Sequence, residues 1–179
     1  TGYDHIDLAY CKEHSITVCN VPEYGTHTVA EHTFALLLAL SRKLIPSVER
    51  ARRGDFTLDG LRGFDLYKKT IGIVGLGNIR TSVARIAKGF GMDVLAYARH
   101  PDVELAKKIG FMYVDMDHLL KVSDIITLHI PLTPETKYTI NKENIHKLKR
   151  GSILINTARG GLIETEAILI GIHDGIIKG

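Results

Sequence analysis

Three groups of residues in this 179-residue chain have types and spacings that could do chemistry. The first is Gly75-Leu76-Gly77-Asn78-Ile79-Arg80, which follows an apolar run and opens a helical stretch. In that setting a glycine turn reads as a dinucleotide site. Gly75 makes the tight turn, and Gly77, lacking a Cβ, lets a pyrophosphate approach the backbone. The Asn78 and Ile79 amides then face the phosphates at the positive end of the helix. Arg80 stands where the pattern has its third glycine, which normally permits close helix–strand packing. The arginine is expected to push its side chain out of a tight seam or shift the helix, and so to weaken cofactor affinity; the alternative is that it reaches a bound phosphate.

The second group ends the next apolar run: Tyr97-Ala98-Arg99-His100. A carboxylate at that tip binds the ribose 2′-hydroxyl, whereas an arginine accommodates a 2′-phosphate. Asp102 lies beyond Pro101, so Arg99 with His100 favours NADP over NAD. The third group centres on Arg159, just after the run 152–157. A guanidinium is a planar donor fork that grips a carboxylate with two bonds. Ligands of open α/β sheets bind beyond the carboxyl ends of the strands, which is where Arg159 stands. His129 by itself reads as a satisfied structural histidine, and no proton transfer is assigned to it.

The elements that must position these groups follow from periodicity. Strands are expected at 70–74, 94–98, 111–114, 124–130 and 152–157. Helices are expected at 79–90, 103–109, 116–122, 142–148 and 164–173. Continuously apolar strands alternating with amphipathic helices predict an α/β fold, a doubly wound parallel sheet of Rossmann-like type. Before it come a helix-like stretch at 8–14, a strand-like Ile16-Thr17-Val18-Cys19 and a turn at 22–26. Thr28 can cap the next helix, with Glu31 closing a capping box. That helix, 29–44, is apolar on nearly every side from Phe34 to Leu40, so it should pack against something besides its own domain. Pro46 then kinks or ends it. Arg50, Arg52 and Arg53 read as a solvated exit.

Composition excludes several classes. Hydrophobic residues make up 45% and charged residues 24%, an ordinary globular balance and not that of a disordered chain. A net charge of +3, from 23 basic and 20 acidic residues, argues for neither nucleic acid nor a membrane surface as partner. The longest apolar stretch, 33–40, is far short of the ~20 residues a membrane span needs. Cys11 and Cys19 form no C-x-x-C pair, and with His5 and His14 they fit no zinc spacing. They read as free thiols of a cytoplasmic protein without a metal.

The motifs, taken in order, carry a resemblance. Thr1-Gly2-Tyr3-Asp4-His5-Ile6-Asp7, Val29-Ala30-Glu31-His32, Gly75-x-Gly77, His129-Ile130-Pro131-Leu132-Thr133 and Asn156-Thr157-Ala158-Arg159-Gly160-Gly161 together resemble the D-isomer-specific 2-hydroxyacid dehydrogenases over essentially the whole chain. The Ala98-Arg99-His100 tip is similar to that of NADP-preferring glyoxylate/hydroxypyruvate reductases, although most members use NAD. The resemblance implies hydride transfer between NAD(P) and a 2-oxo or D-2-hydroxy acid. It implies that Arg159 binds the substrate carboxylate and polarises the 2-keto group. Thr157 and Ala158 are implied to line the nicotinamide, and His129 and Pro131 the wall of the cofactor cleft.

The family's proton donor is a Glu–His pair C-terminal to these residues, and its N-terminal half also helps to bind substrate. Residues 1–21 are therefore expected to be the tail of a substrate-binding domain, and 22–179 an NAD(P)-binding Rossmann domain truncated at its C-terminal end. Such a fragment is expected to be inactive alone. The helix at 34–40 resembles the family's dimer helix, so a homodimer is expected. The rival expectation is a non-catalytic, dinucleotide-sensing binding protein of the same fold.

Overall fold

Alternate residues of a strand face opposite sides of its sheet, so a run apolar at every position must be covered on both. The run after residue 69 behaves this way in the computed structural model, which describes residues 2–21, 24–75 and 77–179. It forms β1 (Thr70–Gly75), buried from Ile71 onward. β1 pairs in parallel with β2 (Asp93–Tyr97) on one side and β4 (Ile125–His129) on the other. β3 (Met112–Tyr113) extends the sheet beyond β2, and β5 (Ile153–Asn156) extends it beyond β4. The order β3-β2-β1-β4-β5 reverses at β1, so a crevice opens beyond the carboxyl ends of β1 and β4. This is the doubly wound, Rossmann-like sheet expected from the sequence.

The two faces carry separate cores. Ile71, Ile73, Ile125, Ile153 and Ile155 pack with α2 (Thr26–Ser41), α4 (Asn78–Gly89) and α5 (Val103–Ile109). Val74, Ile126 and Leu128 pack with α6 (Met116–Val122) and α7 (Thr165–His173). Each fully buried Ile or Leu contributes roughly 1.5–3 kcal/mol, which is why the register of these strands is not free to slip. Asp102 and Asp115 cap α5 and α6 by accepting from the amides of Leu105 (3.0 Å) and His118 (2.8 Å). After α7 the backbone returns beside β5: Ser152 bridges Ile177, and the Leu154 amide donates to the Gly179 carbonyl at 3.0 Å.

Four expectations need correction. Ile16–Cys19 is not a strand, because no partner stands beside it among the described residues. α2 begins at Thr26 with Gly25 at its N-cap, so Thr28 lies inside the first turn and caps nothing; Pro22 and Glu23 of the expected turn lie outside the described residues. α2 also ends earlier, at Ser41, where Lys43 turns left-handed (φ 55°). Pro46 breaks nothing there. It sits in the first turn of α3 (Leu44–Arg52), where a missing N–H costs no helical bond. Finally, 142–148 holds only a 3₁₀ turn, Ile145–Lys147. The Asn141 carboxamide accepts from the Glu143 and Asn144 amides (2.9 and 3.1 Å), and Asn144 Nδ2 donates to the Thr139 carbonyl at 2.8 Å. Side chains that bond the backbone in this way compete with the helix.

N-terminal to the sheet stands α1 (Leu8–Glu13), capped by Asp7. Cys11 and Cys19 are both free thiols. Among the described residues no helix is long and apolar enough to cross a membrane, and no cluster of His, Cys, Asp and Glu could hold a metal.

Candidate active site

The glycine turn sits where β1 meets α4. Gly75 has φ 145°, and a Cβ there would collide with the His129 carbonyl of the neighbouring strand. Only glycine lets β1 run that close to β4 and still turn. Gly77 (φ 111°) has the opposite surroundings: nothing lies within 4 Å of where its Cβ would stand. The turn is therefore closed behind and open in front, the arrangement a pyrophosphate needs. Asn78 and Ile79 form the first turn of α4 at this opening.

Arg80 is not pushed out of the seam. It is 4% exposed, with Nη1 donating to the Gly75 carbonyl at 3.2 Å and the guanidinium over the Tyr113 ring at 5.6 Å. Among the described residues, Arg80 Nε and Tyr113 Oη have no hydrogen-bond partner. The short side chains of α4 on this face, Val83, Ala84 and Ala87, leave the room that the third glycine would otherwise supply.

Two cavities flank the turn. One, of about 280 Å³, lies beyond the carboxyl end of β2 and is lined by Val74, Gly75, Tyr97, Ala98, Arg99, Met116, Pro131 and Glu135, among others. His100 is exposed and outside its lining. Glu135 places a carboxylate in the same cavity as Arg99, which sequence reasoning missed. Thr133 Oγ1 donates to Glu135 Oε2 at 2.7 Å, and with the nearby Arg99 charge this holds the carboxyl below its ordinary range.

The other cavity, of about 580 Å³, lies over β4 and β5. Its walls include Ile79, His129, Pro131, Thr157, Ala158 and Arg159, together with Gly2, Tyr3 and Asp4 from the far end of the chain. Ile130 and Pro131 line both cavities, so the two meet there. His129 is 7% exposed, and its Nε2 lies 3.0 Å from Thr127 Oγ1. Burial pushes its pKa down to about 4, so the ring is neutral near pH 7. Thr33 Oγ1 gives its proton to the Val29 carbonyl (2.8 Å), so the 3.2 Å contact with Thr157 Oγ1 has Thr157 as donor. That bond ties the loop after β5 to α2.

Asn156 shapes the same loop. Its Oδ1 accepts from the Ala158 amide at 3.0 Å and its Nδ2 donates to the Arg159 carbonyl at 2.8 Å. The Arg159 side chain meets Asp4 along one edge, Nε to Oδ2 at 2.8 Å and Nη2 to Oδ1 at 2.9 Å. Nη1 donates to the Ala158 carbonyl at 3.0 Å. The pairing with Asp4 raises the Arg159 pKa, and the Arg159 hydrogen bond holds the Asp4 carboxyl below its usual range. Sequence reasoning placed Asp4 in a motif but gave it no partner. Nothing in the local pattern can report a contact between residues 155 positions apart.

Comparison with known proteins adds a family. Residues 34–179 match the model described as "D-isomer specific 2-hydroxyacid dehydrogenase, NAD binding domain". The chain is 45% identical over 169 residues to a 2-hydroxyacid dehydrogenase homolog of Zymomonas mobilis, covering 94% of this chain and 51% of that protein. It is 40% identical over 185 residues to a glyoxylate reductase of Pyrococcus furiosus, covering 99% of this chain and 55% of the relative. Among solved structures it resembles a D-lactate dehydrogenase of Aquifex aeolicus complexed with NAD and lactic acid. There the TM-score is 0.89 and the identity 41%, over 99% of this chain and 54% of the other. The chain thus spans about half the length of the curated relatives it matches.

Proposed function

The chain belongs to the D-isomer specific 2-hydroxyacid dehydrogenases, and on that premise we propose that the whole protein interconverts a 2-oxo acid and a D-2-hydroxy acid with NAD(P). One observation carries this reading. The glycine turn and Arg159 open onto adjoining cavities that meet at Ile130 and Pro131. A dinucleotide held at one end and a small carboxylate at the other can then share a single crevice.

The roles follow from position. Gly75, Gly77, Asn78 and Ile79 cradle the pyrophosphate, and Ala98 and Arg99 face the adenosine end, with His100 exposed just outside the cavity lining. His129, Pro131, Thr157 and Ala158 form the wall beside the nicotinamide. When bound, the cofactor supplies the hydride. Arg159 grips the substrate carboxylate and, through a second donor, polarises the 2-oxo group, stabilising the negative charge that builds on that oxygen as hydride adds. His129, buried and neutral near pH 7, is part of that wall, and no proton transfer is assigned to it.

The finer choices rest on single features. Arg99 at the tip of β2 favours NADP, while the family model is that of an NAD binding domain. Residues 1–21 read as the end of a substrate-binding domain, which stands outside the sheet yet reaches Arg159 through Asp4. Residues 22–179 are the cofactor domain. Proton transfer belongs to the remainder of the whole protein, so the 179 residues alone should not turn over. Leu36 and Leu40 of α2 and Leu44, Ile45 and Val48 of α3 are exposed apolar side chains, suited to contact with a second copy. Free thiols at Cys11 and Cys19 suit the cytoplasm.

The test is direct. The whole protein should oxidise NADPH or NADH in the presence of glyoxylate, hydroxypyruvate or pyruvate. Oxidation with none of them would overturn the enzyme reading for these substrates and leave a dinucleotide sensor in its place.

A further inference from the structure

We propose that Asp4 is a positioning residue that fixes the orientation of Arg159 and so determines which edge of its guanidinium a 2-oxo acid meets. The inference rests on the substrate role given to Arg159 above and goes one residue beyond it.

The contact is built around the guanidinium. Asp4 takes the Nε–Nη2 edge with two bonds of 2.8 and 2.9 Å, the side-on geometry of a carboxylate on an arginine fork. Two residues earlier, the Gly2 backbone packs so near Nη2 that a Cβ there would collide with it. The third anchor is the Ala158 carbonyl on Nη1 at 3.0 Å. Gly2 and Asp4 therefore enclose one edge of the group, and its own loop holds the other side.

Donor counting shows what remains. An arginine has five N–H donors. Asp4 takes two and Ala158 one, leaving one on each Nη nitrogen. A planar 2-oxo acid presents a matching pair of acceptors, one carboxylate oxygen and the 2-oxo oxygen. The Asp4 carboxylate also repels a substrate carboxylate from the edge it occupies, so the acid is directed to the Nη pair.

Stability does not account for this arrangement. The side chains of Arg159 and Asp4 are 39% and 53% exposed. An ion pair that open to water is a weak contributor to folding. Its effect falls instead on geometry, where a small misplacement of a catalytic group lowers turnover steeply.

The experiment is a double-mutant cycle in the whole protein with its best 2-oxo acid. Asp4→Asn and Asp4→Ala should lower kcat/KM by roughly 10- to 100-fold, with the greater part in kcat. Asp4→Glu, which keeps the carboxylate on a longer arm, should recover part of that loss. NADH or NADPH affinity and the melting temperature should not move, which separates the effect from misfolding. In an Arg159→Lys background, Asp4→Ala should cost nothing further, because the fork it orients is gone. A full Asp4→Ala effect in that background overturns the proposal, as does unimpaired Asp4→Asn alongside an inactive Arg159→Gln. Near wild-type turnover by Arg159→Gln would instead sink the substrate role of Arg159, and this proposal with it.

Discussion

Arg80 donates from Nη1 to the Gly75 carbonyl at 3.2 Å, bracing from beneath the turn whose third glycine it replaces. An arginine expelled from the seam would impair the turn, and Arg80→Gly would then tighten cofactor binding. Seated inside, it does the opposite. Arg80→Gly opens a cavity between α4 and β3, places a glycine in a helix and releases the Gly75 carbonyl. We expect a stability loss of roughly 1–3 kcal/mol and a severalfold weaker NAD(P)H Kd. Denaturant melts and fluorescence titration check both, and an unchanged or tighter Kd overturns the bracing role.

Cofactor choice should respond to two opposed charges in one cavity, Arg99 and Glu135. Arg99→Ala should weaken NADPH by roughly tenfold or more, the worth of one charge-assisted phosphate contact, and leave NADH nearly unchanged. Glu135→Gln should shift preference further toward NADPH, because it removes an anion facing the 2′-phosphate. Competition titration of the two nucleotides reads both shifts. Equal effects on NADH and NADPH would remove the specificity role.

His129 predicts a pH dependence of stability. Its pKa is about 4 when folded against 6.5 unfolded. Below 6.5 the unfolded chain takes up a proton that the folded chain refuses, so stability falls as pH drops from 6.5 toward 4. The full loss is roughly 3 kcal/mol. The carboxylates held low, Asp4 and Glu135 among them, lose their contribution only below their own unfolded values of 3.8 and 4.5. Melts between pH 7 and 5 therefore report mainly on histidine, and His129→Gln should flatten the slope there. An unchanged slope would show that the ring is not held neutral.

Asn156 should matter through the loop it folds. Asn156→Ala removes the bonds to the Ala158 amide and the Arg159 carbonyl. Turnover should fall more than stability, which should lose roughly 1–3 kcal/mol. Comparing kcat with the melting temperature checks this, and a variant with full activity would show that the loop holds its shape without the clamp.

Association should depend on the outer face of α2 and α3. Leu40→Glu and Ile45→Glu place charges on exposed positions of that face and should leave the fold intact while giving a monomer. Sedimentation of the whole protein decides it, and an unaffected dimer would move the interface elsewhere.

Much of the sheet was legible because its strands are mostly apolar runs bounded by polar turns. All five expected strands lie within two residues of those observed, and α5 and α6 have the expected ends. Errors arose where a side chain or a backbone turn overrode the pattern. Asn141 and Asn144 dissolved an expected helix, and Lys43 turned the chain before Pro46 could act. Residues near in the chain, such as Gly75 and Gly77, could be read together because their joint role is local.

The sequence by itself determined the α/β layering, the glycine turn and the placing of Arg99 and Arg159 at strand ends, since period and spacing carry that information. Only the tertiary structure decided the company those residues keep. It set Asp4 on Arg159 across 155 positions, Glu135 into the cavity of Arg99, and Arg80 inward against Gly75 and Tyr113. The reason is that propensity acts over a few residues, whereas a charge finds its partner through whatever the packed sheet brings within hydrogen-bonding reach.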